Sequence, residues 1–390
     1  MDVEDNAFFP TKILFGAEKL KTLHQEKLPG KRALVLITNG NSMKKYGYLD
    51  QLCNELNLAQ VDFVIYNQIS ANPTSDEIDN GAKFAKEKQV DFIIALGGGS
   101  VIDSAKMIAI VLTNGGSIWD YTCTDKKPKT VINDPIAIIA IPTTAGTGSE
   151  VDCAGAFTYL PLQEKVAFKD ERLFPAITVI DPTLTYTLPS KLTAYQGWDA
   201  LTHSMENLIN KNENSDATNI AKTVVKLAGN NLSKAVKNGD DQEAREKMAI
   251  SSYLSGIVIN LSGTTSMHAL ECAMSALHPD LEHGAGLIIL SIAYFQFFID
   301  LHICDEVFVE MARLLEAVDA NSPDDFIKAI KNIHQKCHVD NLKMSDYLIS
   351  EDEFPLIIAK ARRAMPGNFV NDRYLLSDED CLKILKQAYR

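Results

Sequence analysis

The stretch Asp91-Phe-Ile-Ile-Ala-Leu-Gly-Gly-Gly-Ser-Val-Ile-Asp-Ser-Ala-Lys106 decides how this 390-residue chain folds. It opens as an apolar run of strand length, and Val101–Lys106 reads as a helix. Gly97, Gly98, Gly99 and Ser100 join the two directly. Three residues without Cβ atoms let backbone N–H groups approach an anion, and the helix N-terminus adds unpaired donors and the positive end of its dipole. That suits a pyrophosphate. The triplet is not G-x-G-x-x-G, and on its own it also reads as a tight strand-to-helix turn.

On either side lie further apolar, β-branched runs at Ala33–Ile37, Val61–Tyr66, Ile136–Ile141 and Ile177–Ile180. Segments with helical spacing, such as Ser75–Lys88, separate them. Runs buried on both faces and divided by helices predict an α/β unit with a parallel sheet, whose ligands bind at the carboxyl ends of the strands. A second polar loop, Pro142-Thr-Thr-Ala-Gly-Thr-Gly-Ser-Glu150, leaves the run at 136–141. Two such loops on consecutive strands predict a nucleotide site.

Ten of the 14 prolines lie at or before Pro189, and 13 of the 21 glycines precede position 190. The punctuation changes there, so a second, helical domain is expected, with 1–184 and 185–390 as the two parts. Ser190 is expected to cap a helix through Lys191–Asn210, followed by helices at 217–236, 246–260, 266–277 and 288–301. Asp199 and His203 sit four apart on the first of these, beside Tyr195, Trp198 and Met205 on a side that should be buried. A carboxylate there wants a cation. His268 lies in a later helical pattern, and His283 opens an expected turn, His283-Gly-Ala-Gly286. Together the four would make a ligand set for a divalent transition metal; from spacing alone they read more readily as core residues. Cys337-His338 with His334 is expected to be an exposed helical turn.

Lys+Arg 38 against Asp+Glu 51 leaves a formal charge of −13, which argues against nucleic acid or an anionic membrane as partner. No run is expected to reach the about 18 uncharged apolar residues of a spanning helix. The seven cysteines stand singly, which predicts free thiols, and the acidic N-terminus is unlike a signal peptide; a cytoplasmic protein is expected.

In these motifs the chain resembles the iron-containing (group III) alcohol dehydrogenase family, of butanol dehydrogenase and lactaldehyde reductase type. The resemblance runs from Pro10-Thr-Lys-Ile-Leu-Phe-Gly16 and Ala71-Asn-Pro-Thr74 through the two glycine-containing loops to Asp199-Ala-Leu-Thr-His203, His283-Gly-Ala-Gly286 and Asp378–Arg390. It implies a Rossmann-like dinucleotide-binding α/β domain and an all-α C-terminal domain, as in dehydroquinate synthase, with the active site in the cleft between them. It implies an NAD(P)-linked oxidoreductase acting on a small alcohol or aldehyde, and a homodimer or higher oligomer. Asp199, His203, His268 and His283 would be the catalytic metal ligands for Fe²⁺, with Zn²⁺ as the alternative. Gly97, Gly98, Gly99, Ser100 and Asp103 would cradle the cofactor, Thr143, Thr144, Ser149 and Val151 would line it, and Lys165 would approach its ribose.

The family often carries a histidine four residues after the third ligand; here that position is Cys272, whose thiol is a poorer proton relay at neutral pH. The run Ala33–Ile37 ends in Thr38-Asn-Gly-Asn-Ser-Met-Lys-Lys45, with no carboxylate before Asp50. Asn39, Asn41 and Ser42 can donate to a 2′-phosphate, so the expected preference leans to NADP with NAD use retained. The alternatives on the same architecture are a dehydroquinate synthase-like lyase and a glycerol dehydrogenase-like enzyme. The lyase would need basic residues for a charged substrate, yet positions 250–300 hold no Lys or Arg.

Overall fold

Four of the apolar runs form strands shielded on both faces, and the run at 61–66 forms a half-exposed edge strand. The computed structural model describes residues 9–389. Its strands are β1 (Lys12–Phe15), β2 (Arg32–Thr38), β3 (Asp62–Ile69), β4 (Phe92–Gly97), β5 (Ala137–Pro142), β6 (Ala154–Tyr159), β7 (Glu164–Lys169) and β8 (Ile177–Ile180). Six of them make one sheet in the order β1-β8-β5-β4-β2-β3, parallel throughout. All six residues of β4 and all four of β8 are buried, as expected for a sheet covered on both sides. The helices here are α1 (Ser42–Lys45), α2 (Tyr48–Leu58), α3 (Ser75–Glu87), α4 (Gly99–Asn114) and α5 (Trp119–Thr122). Thr74 starts α3 through a capping box with Glu77.

The chain runs from β2 out to β3, then returns past β2 to β4. The direction of winding therefore reverses between β2 and β4, the position where such sheets bind ligands at their carboxyl ends. Three strands escape the sequence pattern. β1 is a half-buried edge strand of four residues, and β6 and β7 form a separate two-stranded ribbon. Short and partly exposed, they lack the continuous apolar run that marks the others.

Contacts divide the chain into two units, one with residues up to Leu162 and Val166–Thr187, the other with Gln163–Lys165 and everything from Leu188. The second unit is helical: α6 (Ser190–Ile209), α7 (Ser215–Lys237), α8 (Gln242–Ser262), α9 (Ser266–Leu277), α10 (His283–Asp300), α11 (Asp305–Leu314), α12 (Asp324–Lys336), α13 (Phe354–Ala364), α14 (Pro366–Val370) and α15 (Asp378–Ala388).

Four expectations are corrected here. Ser190 is the first residue of α6, not its cap; Pro189 holds that position, and its carbonyl accepts from Thr193 N–H at 2.9 Å. His283 begins α10 and is not in a turn, so Gly284 and Gly286 are helical residues. His334 and Cys337 are buried, with the His334 ring edge-on to Trp198 at 4.2 Å; only His338 is exposed. Finally, α10 does have the length and apolarity to cross a membrane, with mean hydropathy 1.4 over 18 residues. Its surroundings explain that composition: 72% of the helix is buried, against α6, α9, α12 and α15. All seven cysteines are free.

Candidate cofactor and metal sites

In the first unit, β4 and β5 are neighbours with Gly97 opposite Pro142, and Thr143 N–H donates to the Gly97 carbonyl at 2.9 Å. Both polar loops therefore leave the same sheet edge. Gly98 precedes α4 with φ −81°, so the triplet is not there for a left-handed backbone. It is there for close approach. A Cβ on Gly98 would lie 3.0 Å from the Thr144 side chain, and one on Gly99 would lie 2.6 Å from that of Thr147. No side chain caps α4, whose first-turn N–H groups are the donors an anion would need.

Beneath the loops, Lys106 is fully buried and donates to the Ser149 and Ala154 carbonyls at 2.8 and 2.7 Å while pairing with Asp152. Asp103, one turn earlier, accepts from Ala156 N–H at 2.9 Å. Burial, only partly offset by Lys106, pushes Asp103 up to about 6. These two side chains of α4 hold residues 149–156 in place. The fold thus gathers Gly97, Gly98, Gly99, Ser100, Asp103, Thr143, Thr144, Ser149 and Val151, although the Val151 side chain is wholly buried. Asn39, Asn41 and Ser42 follow β2, which runs beside β4 in the register Leu36 to Ala95. They thus flank the winding reversal, with both asparagines exposed. Lys165 belongs to the second unit, where its ammonium donates to Ser275 Oγ at 3.4 Å.

In the second unit, three helices converge on one oxygen. Asp199 Oδ1 lies 3.3 Å from His203 Nε2, 3.6 Å from His268 Nε2 and 3.6 Å from His283 Nε2. Donor atoms of Asp199, His268 and His283 all fall within 4.8 Å of one another, and the rings of His203 and His268 stack at 4.7 Å. Asp199, His203 and His268 are buried, yet Asp199 Oδ1 and His268 Nε2 have no hydrogen-bond partner among the described residues. Such orphans are costly unless something else satisfies them. The O,N donor set fits a divalent metal of the iron or zinc kind.

Burial and close packing shift the titration of these groups in different directions. Burial drives His203 down to about 3. For His268 burial opposes protonation, but Glu206 and Asp199 overcome it and push the ring up to about 10. Burial likewise opposes ionisation of Asp199, and the surrounding histidines hold it well below the ordinary carboxylate range.

Two carboxylates that sequence reasoning missed orient the rings. Glu206 Oε1 lies 2.7 Å from His268 Nδ1, and Glu271 Oε2 is bonded to His283 Nδ1. A carboxylate at Nδ1 retains the proton there and leaves Nε2 free for a metal. A signal existed: each glutamate stands three residues after a histidine, in His203-Ser-Met-Glu206 and His268-Ala-Leu-Glu271. Each, however, serves the histidine of another helix. The glycines of His283-Gly-Ala-Gly286 complete the site by close packing. A Cβ on Gly284 would stand 2.2 Å from the Tyr195 carbonyl oxygen, and one on Gly286 would stand 2.6 Å from Glu271 Cγ. Cys272 is buried in the same region, and burial pushes its thiol up to about 12.

Residues 10–182 match the profile of the iron-containing alcohol dehydrogenases, and residues 193–389 match the C-terminal region of the same family. Alcohol dehydrogenase 4 of Schizosaccharomyces pombe is 33% identical over 278 residues, which cover 71% of this chain and 64% of that one. The NAD-dependent methanol dehydrogenase of Bacillus methanolicus is 31% identical over 281 residues, 72% of each chain. Among solved structures, the archaeal Red Sea brine pool alcohol dehydrogenase ADH/D1 superposes with a TM-score of 0.93 at 30% identity, covering 98% of both chains. These matches support the dehydrogenase reading and not the lyase or glycerol dehydrogenase-like alternatives. With its parallel sheet, helical second unit and matched sequence in both, the chain belongs to the iron-containing alcohol dehydrogenase family.

Proposed function

We propose that this NAD(P)-linked alcohol dehydrogenase interconverts a small, uncharged alcohol and its aldehyde, using a divalent metal held by Asp199, His203, His268 and His283. The observation that carries the proposal is the convergence of three Nε2 atoms on Asp199 Oδ1, an oxygen with no hydrogen-bond partner among the described residues. Fe²⁺ is the first choice of metal and Zn²⁺ the second. When bound, such a metal supplies Lewis-acid polarisation of the substrate oxygen. The chain's own residues do the rest. Glu206 and Glu271 fix the imidazoles, and buried side chains around them keep water away. The Gly97–Gly99 turn receives the pyrophosphate, next to Ser100 and Asp103, with Thr143, Thr144, Ser149 and Val151 along the second loop and Lys165 at the ribose. Cys272 remains a thiol, so the proton leaves through water or a hydroxyl of substrate or cofactor.

We assign a preference for NADPH, with NADH still used, because neutral donors at Asn39, Asn41 and Ser42 stand where an NAD-specific site carries a carboxylate. The enzyme works in the cytoplasm as a homodimer or larger homo-oligomer. The test is a panel of aldehydes assayed at 340 nm with NADH and NADPH after reconstitution with Fe²⁺ or Zn²⁺. Turnover with small aldehydes is expected, and His268→Ala should abolish both turnover and bound metal. A His268→Ala protein with full metal content would overturn the ligand assignment. Asn39→Asp should raise KM for NADPH far more than for NADH; equal effects would reverse the cofactor preference.

A further inference from the structure

α9 carries His268, and its first turn is held from outside. Thr265 occupies the cap position, but its side chain does not cap the helix. Instead Glu206 Oε2 accepts from Thr265 N–H, while the other oxygen of the same carboxylate meets His268 Nδ1. Asp372 Oδ1 accepts from Ser266 N–H at 3.3 Å and from the Tyr294 hydroxyl at 2.8 Å. That hydroxyl lies 2.9 Å from Thr265 Oγ1 and accepts from Ser266 Oγ at 3.2 Å. Two asparagines finish the grip. Asn371 Nδ2 donates to the Thr264 carbonyl at 2.8 Å, and Asn368 Nδ2 donates to Thr264 Oγ1 at 2.9 Å and the Thr265 carbonyl at 3.1 Å.

Asp372, Tyr294, Thr265 and Ser266 are all buried. A buried acid is a poor packing residue, because burial penalises it. Asp372 even leaves Oδ2 buried with no hydrogen-bond partner among the described residues. Among the described residues, the hydrogen bonds of its carboxylate run to the turn that begins α9 and to the tyrosine that bridges to it, while its backbone pairs with Asn210.

We propose that Asp372, acting with Tyr294, is a positioning residue for the metal site: it fixes the Thr265–Ser266 turn and through it the direction of His268 Nε2. The coupling is geometric. Thr265 and His268 share the Glu206 carboxylate, so a shift of the turn changes the group that orients the ring. The proposal rests on the metal reading above.

The experiment uses the full-length protein loaded with Co²⁺, whose visible absorption bands report ligand geometry, and titrates metal against a competing chelator. Asp372→Ala should weaken Co²⁺ binding roughly tenfold, the lower range for residues that act through a ligand, and should alter the bands. Asp372→Asn retains an acceptor oxygen and should stay close to wild type. Tyr294→Phe removes only the hydroxyl and should fall between them; it decides the matter if Asp372→Ala does not fold. Met311→Ala, in the core on α11, should lower the melting temperature without changing the bands or the affinity. Wild-type bands and affinity in both Asp372→Ala and Tyr294→Phe would overturn the proposal while leaving the metal reading intact. A wild-type protein that bound no Co²⁺ would overturn that reading and this proposal together.

Discussion

Glu271 is wholly buried and bonded to His283 Nδ1, and Gly286 leaves room for its side chain, so its carboxylate has one ring to hold and a shaped space to hold it from. Ion and hydrogen bonding of this kind raises the basicity of a ligating imidazole as well as fixing its tautomer. Glu271→Gln retains the size and loses the charge. Metal affinity should then drop by about 10- to 100-fold, with the helical content unchanged. Chelator competition monitored alongside circular dichroism would show it, and an unaltered affinity would mean that packing alone orients His283.

Among the elements, the helix starts matter most, since α4 and α10 both begin at proposed site residues and both depend on glycine, though for different reasons. At Gly284 the obstacle is the backbone of α6, 2.2 Å from a would-be Cβ, and backbone cannot step aside. Gly284→Ala should therefore destabilise the fold by about 1–3 kcal/mol or more, as overpacking does. At Gly98 the obstacle is the Thr144 side chain at 3.0 Å, and the backbone conformation suits any residue. Gly98→Val should fold, but its side chain fills the space where N–H groups meet phosphate, so cofactor binding should be lost. Urea unfolding and fluorescence titration with cofactor separate the two effects. A Gly98→Val protein that binds cofactor normally would reduce the triplet to a turn.

At the scale of the molecule, the proposed cofactor loops lie in one unit and the proposed metal ligands in the other, and ligand binding stabilises what it touches. A metal at 100 times its dissociation constant adds about 2.7 kcal/mol. Chelation should accordingly lower hydrogen-exchange protection in α6, α9 and α10, which carry the four proposed ligands. Saturating cofactor should raise protection around β4, α4 and β5. Protection in α6, α9 and α10 that ignores metal removal would count against the four-ligand site.

Several features were legible in the sequence because they depend on near neighbours. The strands at 33–37, 91–96, 136–141 and 177–180 were marked by apolar runs, since a strand buried on both faces has no polar side to show, and the edge strand at 61–66 was marked by its β-branched and aromatic residues. Asp199 and His203 were legible as one helical face at spacing four, and the glycine triplet as a strand-to-helix turn. What stayed hidden depends on packing between distant segments. Glu206 meets His268 across 62 positions, and Asp372 meets Ser266 across 106. His334 looked exposed until Trp198 covered it, and His283-Gly-Ala-Gly286 looked like a turn until Tyr195 and Glu271 accounted for its glycines within a helix. Local propensity and periodicity report only what a residue's immediate chain prefers. Which carboxylate turns which imidazole is decided by how α6, α9 and α10 pack, and only the tertiary structure contains that.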